Sequence, residues 1–181
     1  MIYVFFAQGF EEIEGLTVVD VLRRAKLDVQ MVGVGGKVVT GSHGITITCD
    51  VTTQEIQLSE DLQMVVLPGG LPGTTNLEQD QIVQKAIDYC VESGKYVCAI
   101  CAAPSILGHK HLLDGKQAIC FPGFEKELYG AVLSQDPVCV DGNIVTAKGM
   151  GVATEFSLQL VECLLGEETK NTLKASLQCR D

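Results

Sequence analysis

The residues with the clearest chemical potential lie in Lys95-Tyr-Val-Cys-Ala-Ile-Cys-Ala-Ala-Pro-Ser-Ile-Leu-Gly108. A short apolar run there ends in a cysteine, and Pro104 opens a helix directly afterwards. Cys101 stands at the junction. A thiol in that place faces unpaired backbone N–H groups and the positive end of the helix dipole, both of which favour the nucleophilic thiolate. The plain alternative is a small core cysteine, the commoner fate of a free thiol. Proton-handling partners for such a sulfur come from Glu11-Glu-Ile-Glu14 at the start of a helix. At 100° per residue Val18, Val21, Leu22 and Ala25 define its inner face, with Asp20, Arg23 and Arg24 outside. Glu11 and Glu14 fall on the inner side, Glu12 and Ile13 on the outer, and periodicity does not choose between the two inner carboxylates. The alternative is an acidic cluster that complements the helix N-terminus at the surface.

A third element is Val65-Val-Leu-Pro-Gly-Gly-Leu-Pro-Gly73, a strand running into a glycine turn. Its exposed N–H groups would form a nest suited to an oxyanion, although glycines there could also make nothing more than a tight turn. Other pairings read differently. Cys98 and Cys101 form a C-x-x-C, but no second pair follows as a zinc site would need. With Cys98 on the strand, the two lie about 10 Å apart, beyond the roughly 7 Å limit for a disulfide. His109 and His111, flanking Lys110, read as a solvated loop and not as a metal pair.

These residues need a frame that brings them together. Apolar strands near 1–7, 28–34, 63–67, 95–100, 117–121 and 143–147 alternate with helices near 11–25, 79–93, 102–108, 153–165 and 167–175, which predicts βαβ units around a parallel sheet. Two hairpins, a Gly-rich one at 34–48 and one at Val138–Val145 with an Asp-Gly turn, are expected as antiparallel additions to that sheet. The predicted fold class is therefore α/β, a three-layer α/β/α sandwich with a mostly parallel sheet, forming one domain over 1–181 with no linker. In such a sheet the carboxyl ends of the first strand and of the strand before Cys101 open on the same edge, so Glu14 and Cys101 can converge.

Composition narrows the function. Lys and Arg number 13 against 23 Asp and Glu, a net charge of −10 that repels nucleic acid and anionic membrane surfaces. Hydrophobic residues at 46% with no polar low-complexity run exclude a disordered chain. Met1–Ala7 is too short to span a membrane and lacks the basic region of a signal peptide, so it reads as a core strand. The eight cysteines, scattered through strand and helix patterns, read as free thiols in a cytoplasmic protein.

Glu11-Glu-Ile-Glu14, Val19-Asp-Val-Leu-Arg-Arg-Ala25, Val66-Leu-Pro-Gly-Gly70, Ala99-Ile-Cys-Ala-Ala-Pro104 and Gly149-Met-Gly-Val-Ala-Thr-Glu-Phe156 resemble, in order, the motifs of the ThiJ/PfpI (DJ-one) superfamily. The resemblance is to its branch that includes the human parkinsonism-associated deglycase, and it spans nearly the whole chain. It implies a flavodoxin-like fold, Cys101 as nucleophile on a strand-to-helix elbow, Glu14 as the carboxyl beside its sulfur, and the backbone N–H groups of Gly70 and Ala102 as an oxyanion pocket. It also implies a homodimer, no cofactor, no metal, and glyoxalase or deglycase chemistry on small α-oxoaldehydes or glycated adducts, linked to oxidative and carbonyl stress. The alternative role is redox sensing or chaperoning through Cys101 sulfinate.

Three departures matter. The peptidase branch carries a histidine after its cysteine where this chain has Ala102, so proteolysis loses its base. Phe121 stands where the deglycase has a histidine before a proline. His43 occupies a hairpin position where relatives often have an arginine reaching the partner subunit's site, which makes it an accessory candidate across a dimer.

Overall fold

The computed structural model describes residues 1–179, so the last two positions of the expected 1–181 unit lie outside the described residues. In chain order the elements are β1 (Ile2–Phe6), α1 (Glu12–Arg24), β2 (Val29–Gly33), β3 (Val38–Thr40), β4 (Thr46–Thr48), β5 (Val51–Thr52), β6 (Met64–Leu67), α2 (Gly73–Gln79), α3 (Gln81–Glu92), β7 (Tyr96–Ile100), α4 (Pro104–His109), β8 (Gln117–Ala118), β9 (Val132–Leu133), β10 (Val138–Asp141), β11 (Ile144–Ala147), α5 (Ala153–Leu165) and α6 (Glu167–Ser176).

The main sheet runs β10-β11-β7-β6-β1-β2-β5 and is parallel except for β10. β1 and β6 are buried along their whole length, as expected of inner parallel strands covered on both faces. Alternate residues feed two cores. Ile2, Val4 and Phe6 pack with Val18 and Leu22 of α1 and with Phe156 and Leu160 of α5. Tyr3 and Phe5 face Leu77 of α2, Val83 and Ile87 of α3, and Ile106 of α4. The three-layer α/β/α architecture and its mostly parallel sheet are those predicted. No helix among the described residues is long and apolar enough to cross a membrane.

Three expectations change. The helix expected over 79–93 is α3 alone, with a separate α2 before it. Asp80 divides them, because its carboxylate accepts the N–H groups of Ile82 (2.8 Å) and Val83 (3.0 Å) and so caps α3. The hairpin at 34–48 is not an addition to the main sheet. After β2 the chain turns through Gly35 at φ +79° and leaves the sheet, so β3 and β4 pair only with each other and β5 takes the edge beside β2. The strand expected at 117–121 is reduced to β8, which pairs with β9 outside the main sheet. Side chains satisfy the backbone there: the Asp141 carboxylate accepts Gln117 N–H (2.9 Å) and the Thr146 hydroxyl accepts Ile119 N–H (3.0 Å). The hairpin of β10 and β11 does join the main sheet antiparallel, as predicted.

The register Leu67↔Ala99 and Ala147↔Ile100 aligns the ends of β6, β7 and β11. Their following loops, together with the one after β1, therefore open on a single edge.

Candidate active site

Cys101 follows the last residue of β7 with φ +66°, a left-handed conformation that non-glycine residues rarely adopt. The strain, of order 1–3 kcal/mol, is held by hydrogen bonds on both sides. Cys101 N–H donates to Ala147 O (2.9 Å), and Phe121 N–H donates to Cys101 O (2.8 Å). The turn aims the side chain back across the sheet edge, where Gly69 leaves room: a Cβ there would lie 2.7 Å from Cys101 Cβ and 2.7 Å from Glu14 Oε2.

Glu14, in the first turn of α1, is fully buried and lies on the Cys101 side chain. Its Oε2 accepts the N–H of Gly69 (2.9 Å), while Oε1 has no hydrogen-bond partner of ordinary geometry among the described residues. Gly69 O in turn accepts Glu11 N–H (2.9 Å), which ties the end of β6 to the start of α1. Burial pushes the Glu14 carboxyl up from 4.5 to about 7, against the opposing hydrogen bonds from Cys101 and Gly69. Burial, and then the Glu14 carboxylate, push the Cys101 thiol up to about 12, with the N–H groups of Ala102 and Gly70 pulling the other way. This differs from the thiolate predicted at a strand-to-helix junction. The helix is only the six residues of α4 and begins three positions later, so its dipole is weak at the sulfur. The N–H groups do point at the sulfur, but the buried pair keeps one proton.

Gly69 is a residue the sequence reading passed over, although it is the first of the Gly-Gly pair. Gly69→Ala is expected to destabilise the fold by about 1–3 kcal/mol through overpacking and to part Cys101 from Glu14. Chemical denaturation and Cys101 alkylation rates check both.

A cavity of about 210 Å³ opens onto Cys101, Gly70 and Ala102 and is lined besides by the polar Glu11 and Ser42 and the apolar Leu71, Phe121, Phe124 and Met150. A larger hollow of about 480 Å³ between α5 and α6 includes Glu155 and Lys170 but none of these groups. Glu11 therefore lines the cavity, whereas Glu14 is fully buried against Cys101 without lining it, which separates the two inner carboxylates that periodicity left equal.

Glu12 does not project into solvent as the helical pattern predicts. It is 5% exposed because the loop between β3 and β4 folds over it. Its Oε1 accepts His43 N–H (2.8 Å), and its Oε2 lies 3.0 Å from His43 Nδ1. Burial opposes ionisation, but hydrogen bonds from the His43 ring and from backbone N–H groups outweigh it and hold Glu12 at about 2. The contribution to stability is thus present above pH 4.5 and is lost as pH falls towards 2. Glu12→Gln should remove that pH dependence and speed amide exchange at residues 41–45, measured by hydrogen exchange.

His43 itself is exposed and sits on Glu12 and Glu11, 3.0 and 3.4 Å away. Within one chain the structure does not bring it to Cys101. Ser42 lines the pocket in its stead. Glu11, Glu12 and His43 are the group among the described residues with metal-ligating spacing, their atoms within 4.8 Å, but hydrogen bonds from Ser42, His43 and Ile45 already occupy the carboxylates. All eight cysteines are free thiols, including Cys98, which is wholly buried. His109 is not in a solvated loop: it ends α4 between Glu78 and Glu127, its Nε2 2.9 Å from Glu127. Burial lowers its pKa, but the two carboxylates outweigh burial and raise it above the ordinary value. His111 is exposed, 3.3 Å from Asp114.

Known proteins are similar to this chain in sequence and fold. The DJ-1/PfpI family model matches residues 1–163. Protein DJ-1 homolog B of Arabidopsis thaliana is 39% identical over 165 residues, covering 90% of this chain; the chain spans 37% of that relative's length. The Glutathione-independent glyoxalase DJR-1.2 of Caenorhabditis elegans is 31% identical over 165 residues, 90% of this chain and 87% of that protein. Among solved structures, Drosophila melanogaster DJ-1beta superposes with a TM-score of 0.92 at 32% identity, covering 99% of this chain and 98% of that one. Oxidized Toxoplasma gondii DJ-1 has a TM-score of 0.92 at 30% identity, covering 97% and 96%. With a buried cysteine–glutamate pair at the edge of this sheet and a family model matching nearly its whole length, the chain belongs to the DJ-1/PfpI family.

Proposed function

We propose that the protein is a cysteine-dependent, cofactor-free glyoxalase that converts methylglyoxal, glyoxal or their adducts with proteins to 2-hydroxy acids. The observation that carries this reading is the buried Glu14 carboxyl on the Cys101 sulfur, its Oε1 without a hydrogen-bond partner of ordinary geometry among the described residues and its pKa near 7. A base with that pKa is suited to moving protons at neutral pH. Glu14 accepts the thiol proton as sulfur adds to the aldehyde carbon, and returns it to the new oxyanion, which the N–H groups of Gly70 and Ala102 hold. Free again, the carboxylate takes the hydrogen from C1 and delivers it to C2, while the hydroxyl proton passes from the C1 oxygen to the C2 oxygen. C1 is oxidised as C2 is reduced. Water then splits the resulting thioester, breaking the carbon–sulfur bond and releasing the hydroxy acid and the thiol.

The name of the Caenorhabditis elegans relative supports this chemistry. On this reading the protein acts in the cytoplasm as a homodimer in which His43 of one copy reaches towards the other copy's site. The test is lactate formation from methylglyoxal by the purified chain without glutathione. Lactate formed in proportion to enzyme supports the reading, and its absence contradicts it.

A second reading rests on the two N–H groups at the sulfur and on the oxidized state of the Toxoplasma gondii structure. Here Cys101 is a redox sensor that takes two oxygens from two molecules of peroxide, each leaving as water, to give a sulfinate hydrogen-bonded by Glu14. Mass spectrometry after mild peroxide is expected to find two oxygens added chiefly at Cys101. Equal oxidation of all eight cysteines would exclude it.

A further inference from the structure

We infer that the Cys101 pocket selects 2-oxoaldehydes bearing an aromatic or branched apolar group on the second carbonyl, with Phe121 as the residue that recognises it; the inference rests on the glyoxalase reading and narrows its substrate class. The position of Phe121 is fixed by the nucleophile's own backbone. Its N–H donates to Cys101 O at 2.8 Å, and Phe124 N–H donates to Phe121 O at 3.1 Å, closing a turn that brings a second aromatic side chain to the same mouth. The Phe121 ring stands over Gly149: a Cβ there would lie 3.0 Å from Phe121 Cδ2 and 4.0 Å from Glu14 Oε1. No side chain of Gly149 thus intervenes between the ring and the proton-moving carboxyl.

In the single chain this wall stays exposed after folding. Phe121 and Met150 are each 37% exposed and Leu71 is 56% exposed, and all three border the cavity above the sulfur. Apolar side chains gathered around a nucleophile are what a ligand with an apolar body would cover. A methyl group would cover little of them, whereas a phenyl ring can stack on Phe121. The wall can also yield. A second hollow of about 220 Å³ shares Phe121 and Met150 and continues to Pro122 and Val152, so these two side chains divide two spaces. Met150, unbranched and adaptable, can shift to join them around a longer substituent. Leu71, Phe121, Phe124 and Met150 offer no hydrogen-bonding group; besides Cys101 the polar side chains lining the cavity are Glu11 and Ser42, and Lys148 lines the adjoining hollow.

Two ratios test the inference with the full chain. One is kcat/KM for phenylglyoxal, read as mandelate, against methylglyoxal, read as lactate. The other is the rate of Cys101 alkylation by phenacyl bromide against bromoacetone, each divided by its rate with free N-acetylcysteine. Both ratios are expected to favour the phenyl compound by about tenfold or more, the scale on which apolar pockets discriminate. Phe121→Asn should bring the alkylation ratio to within about twofold of the free thiol's, and Phe121→Leu should restore most of the preference. A ratio near one in the unmodified protein, or one that Phe121→Asn leaves unchanged, overturns the inference. If neither aldehyde is turned over, the glyoxalase reading and this substrate fall together, while the alkylation ratio still decides whether the pocket selects aromatic electrophiles.

Discussion

Cys101→Ser is expected to lower kcat/KM for methylglyoxal by about a thousandfold or more, the scale on which removal of a nucleophile acts in enzymes that form covalent adducts. The substitution exchanges one atom in a site where backbone geometry is set by neighbours. Cys101 N–H and O are both hydrogen-bonded, and the left-handed φ belongs to the turn and not to the sulfur. Folding should therefore survive, and loss of activity with an unchanged melting temperature would assign the effect to chemistry. The hydroxyl that replaces the thiol is a far weaker nucleophile at neutral pH, and Glu14 with a pKa near 7 is too weak a base to compensate. Undiminished lactate formation by this variant would end the assignment.

Glu14→Gln is expected to reduce turnover by at least about a hundredfold, the usual scale of a lost general acid–base, and to stabilise the protein. The amide can still accept the N–H of Gly69 and donate towards the sulfur, so sulfinate formation can persist where catalysis stops. In the unmodified protein kcat/KM should rise with pH through about 7, because below that value Glu14 is protonated and cannot accept the thiol proton. That step should be missing from the variant's residual activity. The stability effect has a defined sign. The folded pKa of about 7 lies above the ordinary 4.5, so the folded state binds more protons between those values and stability falls as pH rises across them. At pH 8 the variant should be more stable by about 3 kcal/mol, and the gap should close towards pH 4.5. Denaturation at the two pH values measures it. The arrangement is a site held at the expense of stability, as is common where a buried charge is needed.

How much of this was legible in the sequence depended on the range of the interaction. The strand-to-helix junction at Cys101 is local, and apolar runs with Pro104 reveal it. The parallel sheet follows from alternating strands and helices, and it brings the carboxyl ends of β1, β6 and β7 to one edge. Glu14 was only half legible. Helical periodicity placed it inward with Glu11, but α1 begins at Glu12, so Glu11 lies before the helix and follows the loop out to the pocket mouth. Glu12 shows the limit most plainly, since it is buried by the loop between β3 and β4, an element whose position no pattern within α1 encodes. For the same reason His109 read as solvated: Glu78 and Glu127 lie 31 and 18 residues away in the chain. The ribbon of β8 and β9 escaped because side chains of Asp141 and Thr146 satisfy N–H groups that a strand in the main sheet would have paired with a neighbouring strand.

One buried proton is shared between Glu14 and Cys101. Carbon-13 NMR of the Glu14 side-chain carboxyl, followed against pH in the purified protein, tests it most directly. A single titration with a midpoint near 7 is expected. A carboxyl that titrates near 4.5, as an exposed glutamate does, would contradict it.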